Sequence, residues 1–298
     1  MKHNPPPLFF IMFSLLTMNG CGEQSNITQV NSLETLKVST LKQLVFVEAG
    51  SFVMGDVGYT DSNGQFHNFT GDSNVYPVHD VTLTGYSIQA YETTFKDFDF
   101  YMTSIGEDVV GKNRRHRINS GPNYPAKWLT WDQAHNYCQW LGKNIGYPMN
   151  LPTEAQWEYA ARSRGKAVAH ATNNGDIEYG VNYRDPRKIP HQMPVGSWPP
   201  NPLGIYDMTG NVSEWTLDLW HPYTDEPKTD PNYETVAEEL KEYVTSRMWR
   251  GSGVIGGKGQ IQLYRRGKNT PDTTGAGIGI RCVANHPEPI ESIRTKKQ

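Results

Sequence analysis

Between Gly204 and Asp218 the chain reads Gly-Ile-Tyr-Asp-Met-Thr-Gly-Asn-Val-Ser-Glu-Trp-Thr-Leu-Asp, a run so dense in turn formers, side-chain oxygens and aromatics that the rest reads as scaffold around it. Gly210-Asn211 is a turn signal, because glycine takes a positive φ without penalty and asparagine tolerates one. Behind the turn, Glu214 and Trp215 sit in a segment that otherwise reads as a strand, so a carboxylate is held close to buried aromatic surface. Asn and Asp side chains with loop carbonyls are the oxygen donors a hard cation such as calcium takes. They are equally the ingredients of a polar turn capped by its own Asn.

The chain has 298 residues, 37% apolar content and a formal net charge of -3, enough for one large domain or two small ones. Basic residues form no stripe, which argues against nucleic acid. With 16 Tyr, 8 Trp, 28 Gly and 20 Pro the composition points to an irregular, loop-rich, extracytoplasmic domain. Residues 1–20 read as a targeting segment: Lys2 and His3 precede an apolar run from Leu8 to Met18 that is too short for a permanent span. The run ends at Asn19-Gly20-Cys21, which resembles the lipobox of bacterial lipoproteins, with Met18 where Leu is usual. The resemblance implies acylation of Cys21 and a membrane tether through the N-terminal lipid. Gly22 in place of Asp points to the outer membrane, on its periplasmic side or its surface. Setting Cys21 aside leaves Cys138 and Cys282, which can pair in an oxidising compartment or stay as buried thiols.

Residues 21–43 read as a polar tether, 44–286 as the folded domain and 287–298 as a polar tail. Leu44–Val47 is expected as a short strand, with a second bracketed by Gly50 and Gly55 as in a hairpin, and Val78 to Leu83 as another in which Val78, Val81 and Leu83 alternate against His79, Asp80 and Thr82. A helix is expected from Thr94, with Phe95, Phe98, Met102 and Ile105 on one face. Two more begin at capping boxes, Thr130 with Gln133 and Thr153 with Gln156. Ser163 to Pro202 reads as loop, with Val195–Trp198 strand-like, and such a long loop is expected to be functional or held by ligands. Residues 224–246 read as an acidic insertion containing a small helix through Val236, Leu240 and Tyr243.

Several stretches then resemble, in order, the sulfatase-modifying factor or formylglycine-generating enzyme family. They include Val47 to Gly55, Pro77-Val78-His79-Asp80-Val81, Tyr91-Glu92-Thr93-Thr94, Ala126 to Trp131, Tyr137-Cys138-Gln139-Trp140, Leu151 to Arg162, Pro194 to Met208, Asn269-Thr270-Pro271-Asp272 and Gly279-Ile280-Arg281-Cys282. The resemblance implies an α+β domain of C-type-lectin-like architecture with little regular secondary structure. It also implies that Cys138 and Cys282 form a structural disulfide. Asn211, the Val212 carbonyl and Glu214 match the family's calcium-associated Gly-Asn-x-x-Glu-Trp segment, and Asn182 matches part of a second site. Ser213 stands where the family usually has Trp.

The family's oxidase chemistry uses a cysteine pair ahead of Asn-Thr-Pro-Asp to hold copper, and a soft cuprous ion needs thiolates. From Arg250 to Asn269 this chain has none, with Gly253, Gly256, Gly257 and Gly259 in that stretch instead. Copper-dependent formylglycine generation is therefore not expected. Two roles remain: a binding or assembly module for a peptide, glycan or protein partner, or a cysteine-independent enzyme similar to the branch that oxidatively matures a siderophore chromophore. Trp220, His221, Arg250, Tyr264, Arg265 and Arg266 are the groove candidates by position.

Overall fold

Thr130 and Thr153 open helices as their capping boxes require: each hydroxyl accepts from the backbone N–H of the glutamine three residues on, whose side chain reaches back to the threonine. The computed structural model describes Met1 and residues 33–110, 121–237, 245–253, 258–274 and 277–290. Cys21, Leu240, Tyr243, Gly256, Gly257 and residues 291–298 lie outside these. By contacts the chain divides into Met1–Leu36 and Lys37–Gln298. Residues 33–43 are helical (α1) where a tether was expected, and Thr40 and Leu41 within it are buried.

The remaining helices are α2 (Phe95–Ser104), α3 (Trp131–Ile145) and α4 (Glu154–Ala161). Phe95, Phe98 and Met102 are buried on α2, whereas Ile105 caps it and is exposed. Trp131, Ala134, Cys138 and Leu141 form the buried stripe of α3. Cys138 points inward and is bonded to Cys282 across a separation of 144 residues, a cross-link worth about 4 to 5 kcal/mol in the chain-entropy picture.

Among the described residues, thirteen short strands form the sheets. β1 (Leu44–Val47), β6 (Tyr86–Gln89), β13 (Val283–Ala284) and β7 (Met149–Asn150) make one, ordered β1-β6-β13-β7. β2 (Gly50–Met54), β5 (His79–Leu83) and β9 (Lys228–Thr229) make a second, while β3 (Tyr59–Thr60) and β4 (Phe66–His67) pair as a ribbon. β8 (Ser213–Leu219), β10 (Arg247–Arg250), β11 (Arg266–Asn269) and β12 (Ile278–Gly279) complete the set in the order β11-β10-β8-β12. The expected β1–β2 hairpin does not form: β1 pairs with β6 and β2 with β5. Glu48-Ala49 lacks the positive-φ residues a two-residue hairpin loop needs, so the ribbon continues into a second sheet. In β5 the inward set is His79, Val81 and Leu83, not Val78, because side chains alternate strictly, and the His79 ring packs on Tyr223 at 4.8 Å. Val195–Trp198 is a turn, with Gly196 at φ 71.

All seven residues of β8 are buried between antiparallel β10 and parallel β12. The loop that feeds it coils tightly: Gly204, Asp207, Gly210 and Asn211 all take positive φ. Gly210 has a second constraint, since a Cβ there would lie 2.2 Å from the Tyr183 hydroxyl. The adjoining indoles are fully engaged. Trp157 Nε1 donates to Glu214 at 2.7 Å, Trp131 Nε1 to the Thr216 carbonyl at 2.7 Å and Trp215 Nε1 to the Leu129 carbonyl at 3.3 Å.

Candidate functional site

Helix α4 buries two carboxylates one turn apart, and the strands opposite supply their counter-charges. Arg266 Nε lies 2.6 Å from Glu154 Oε1 and its second fork nitrogen 2.8 Å from Oε2, a bidentate pair. Arg250 bridges both acids, 3.1 Å to Glu154 and 2.6 Å to Glu158, and Arg162 reaches Glu158 at 2.9 Å. Burial alone would raise the Glu154 carboxyl, but Arg266 and Arg250 outweigh it and hold it at about 2. The His221 ring stacks on Tyr233 at 3.7 Å, its Nδ1 3.0 Å from the Leu219 carbonyl and its Nε2 4.0 Å from Glu154. Thus Arg250 and Arg266 brace α4 against the β8 sheet.

A second charged group surrounds the Gly204–Asp218 loop. Both oxygens of Glu214 are engaged by Arg281, the shorter contact at 2.7 Å, and Arg281 also donates to the carbonyls of Gln89 and Tyr206. Glu92 accepts from Asn211 Nδ2 at 2.6 Å and from the Val212 N–H at 3.2 Å. Burial first, then repulsion from Asp207 and Glu214, raises the Glu92 carboxyl. Burial lifts Asp207 to about 6. Three carboxylates here face the Arg281 guanidinium and, near Glu92, the buried Lys127 ammonium, still more acids than cations, and their donor type suits a hard cation. Asn211 Oδ1 accepts from Met193 N–H and its nitrogen faces Glu92. Asn182 lies in a different loop, its Oδ1 accepting from Glu178 N–H and its Nδ2 donating to Asn173, Asn174 and the Asp176 carbonyl. Among the described residues no three His, Cys, Asp or Glu are set to hold a metal ion.

The most chemically varied concavity lies elsewhere. An open-sided cavity of about 540 Å³ is lined by Tyr59, Phe69, His170, Asp176, Lys258 and Gln262, among others. Lys258 Nζ lies 2.7 Å from the Asp176 carboxylate. The buried His170 ring sets Nε2 3.0 Å from the Lys258 carbonyl, and Nδ1 3.5 Å from Asp176 Oδ1 without a hydrogen bond. Burial lowers the imidazole below its ordinary value, so it is neutral at pH 7. The carbonyl at Nε2 assigns the proton to that nitrogen, leaving Nδ1 as an acceptor.

With this geometry in place, the relationship to known proteins is direct. The model of the sulfatase-modifying factor enzyme 1-like domain matches residues 29–286. The chain belongs to this family. The match extends to the formylglycine-generating enzyme of Streptomyces coelicolor, 31% identical over 80% of this chain and 88% of that protein. The formylglycine-generating enzyme of Mus musculus is 27% identical over 83% of this chain and 76% of that protein. Among solved structures, PvdO from Pseudomonas aeruginosa aligns with a TM-score of 0.64 and 29% identity, covering 81% of this chain and 93% of that one.

Against this family fold, the groove candidates scatter. Arg250 and Arg266 are interior ion-pair partners. Tyr264 is buried, with the Phe69 ring stacked on it at 5.4 Å and Arg162 over its face at 5.3 Å. Arg265 is exposed. Trp220 is half-buried under Lys268, whose ammonium sits 3.9 Å from the ring centre. None of the six lines the Tyr59–Lys258 cavity. His170, Asp176 and Lys258, which do, were missed because they come from loops without periodicity. The available signal was the length of the 163–202 loop, which marked it as functional or ligand-held.

Proposed function

We propose that this sulfatase-modifying-factor-like domain is a membrane-anchored, extracytoplasmic binding or assembly module, not a copper-dependent formylglycine-generating oxidase. The observation that carries the reading is thiol arithmetic. The chain has three cysteines, two of which are bonded to each other through the core, so a single chain retains no thiolate pair for a cuprous ion. The open cavity at Tyr59, His170 and Lys258 then serves a peptide, glycan or protein partner, and lipidation at Cys21 holds it at the outer membrane, on its periplasmic side or surface. The test is oxygen uptake by purified protein given copper and a cysteine-containing sulfatase peptide. No uptake above the peptide-copper background is expected, and stoichiometric conversion of the peptide cysteine would contradict the reading.

A cysteine-independent oxidative maturation enzyme, similar to the siderophore-chromophore branch, is the second reading. One observation favours it: His170, buried beneath the cavity wall, is a neutral imidazole whose Nδ1 has no hydrogen-bond partner, beside the Asp176–Lys258 pair. That is the equipment of a general base.

Calcium belongs to the proposal as a structural ion. The Asn211, Val212 and Glu214 segment would take it, with Asp207 supplying the negative charge, and Asn182 would belong to a second site. Such an ion would relieve the carboxylate excess around Arg281. After chelation, restoring calcium to roughly 100 times its Kd is expected to add about 2.7 kcal/mol to unfolding, read as a rise in thermal midpoint that Asp207→Asn diminishes. An unchanged midpoint would remove calcium from the account.

A further inference from the structure

We infer that the Tyr59–Lys258 cavity binds a neutral oligosaccharide, with a pyranose ring packed on the Tyr59 face of its aromatic wall. This rests on the binding-module reading and gives its site a ligand class.

The aromatic wall is a staircase. Tyr59 lies 5.2 Å from Phe69 at an interplanar angle of 29° and 5.3 Å from the cross-strand His67 ring at 27°, and Phe69 lies 5.4 Å from Tyr264 at 11°. Its inner step is buried in the core, whereas Tyr59 is 48% exposed at the mouth. The ribbon carrying it is fixed from below: Asp56 is buried, and its carboxylate accepts from the N–H groups of Gly58, Phe69 and Thr70. The ring is therefore presented on an ordered support, which lowers the entropic cost of binding.

The opposite wall is polar but internally neutral. Asp176 and Lys258 neutralise each other at 2.7 Å, and His170 is uncharged, so a strongly charged ligand finds no net counter-charge. The lining instead offers donors and acceptors side by side. Lys258 Nζ is half exposed and retains donor capacity beyond Asp176, and the exposed Asp176 oxygens accept. A hydroxyl both donates and accepts through one atom, so vicinal sugar hydroxyls can bridge Lys258 and Asp176. The apolar C–H face of the same ring packs on Tyr59. A volume of about 540 Å³ falls within the usual range for small-ligand sites, and the open side lets a longer chain run out.

The test is saturation-transfer NMR followed by calorimetry on the full chain. The probes are cellohexaose, maltohexaose and chitohexaose, with hexagalacturonate and an uncharged hexapeptide as comparisons. At least one neutral hexaose is expected to bind. Tyr59→Ala should weaken that binding about tenfold, the equivalent of about 1.4 kcal/mol. Tyr59→Phe should leave it within about twofold, and Tyr179→Ala, which removes an exposed ring outside the cavity, should change nothing. Asp176→Asn, also at an exposed position, should weaken binding by unbalancing Lys258. Failure of all three neutral hexaoses to bind, preference for hexagalacturonate, or indifference to Tyr59→Ala would each overturn the inference. Tyr59-dependent binding of the hexapeptide alone would also overturn it while leaving the binding-module reading intact. That reading fails separately, on the oxygen-uptake assay.

Discussion

Replacing Arg266 with methionine is expected to lower the unfolding free energy by about 3 to 5 kcal/mol, the usual result of removing one partner from a buried ion pair. Glu154 would lose its bidentate partner and keep the 3.1 Å contact to Arg250 and the 4.0 Å approach of His221. The carbonyls of Asn74 and His221 would lose a donor each. The loss should be markedly non-additive with Glu154→Leu, because the double variant removes a charge of each sign. The Glu154 carboxyl is held below its ordinary value, at about 2, so its stabilisation is full above about 4.5 and disappears as pH falls through 2. Wild-type protein should therefore lose stability steeply over that interval, and Arg266→Met should lose much less. Urea unfolding between pH 2 and 5 measures both effects. A single-variant loss below about 1 kcal/mol would show that the network is not the brace described.

Arg281→Met is expected to be of similar size, about 3 to 5 kcal/mol at neutral pH, with a deficit that also shrinks on acidification but in a higher pH window. Glu92, Asp207 and Glu214 would face no guanidinium, and the carbonyls of Gln89 and Tyr206 would lose their donor. Glu92 is already raised and Asp207 sits at about 6, so the folded state binds protons more tightly than the unfolded chain. That contribution is present below the unfolded value near 4 and is lost as pH rises through 6. Removing Arg281 raises both groups further. The deficit of the variant should therefore be smaller at pH 5 than at pH 7.5, and equal deficits at both would contradict the carboxylate-excess description.

The parts legible in sequence were those governed by local rules. Both capping boxes, the buried stripe of α3 and the positive φ of Gly210 and Asn211 follow from residue type and spacing. What was not legible depended on partners distant in the chain. Leu44–Val47 announces a strand but not that Tyr86–Gln89 will be its neighbour, so the ribbon was mistaken for a hairpin. Arg250 and Arg266 looked like groove residues because a glycine-rich segment surrounds them, whereas Glu154 and Glu158, about a hundred positions earlier, draw them inside. The same limit hid the cavity: Tyr59, His170 and Lys258 lie far apart in sequence, and only the fold brings them together. The Gly204–Asp218 stretch proved central for a reason its motif did not contain, the convergence of Glu92, Asp207 and Arg281 on Glu214 and its neighbours.

Alkylation of folded, unreduced protein followed by peptide mass mapping reads directly whether the two domain cysteines are bonded to each other. The structure predicts that Cys138 and Cys282 resist alkylation and are recovered as one cross-linked peptide pair. Recovery of both as separate alkylated peptides would restore a thiol pair to the domain and contradict the claim.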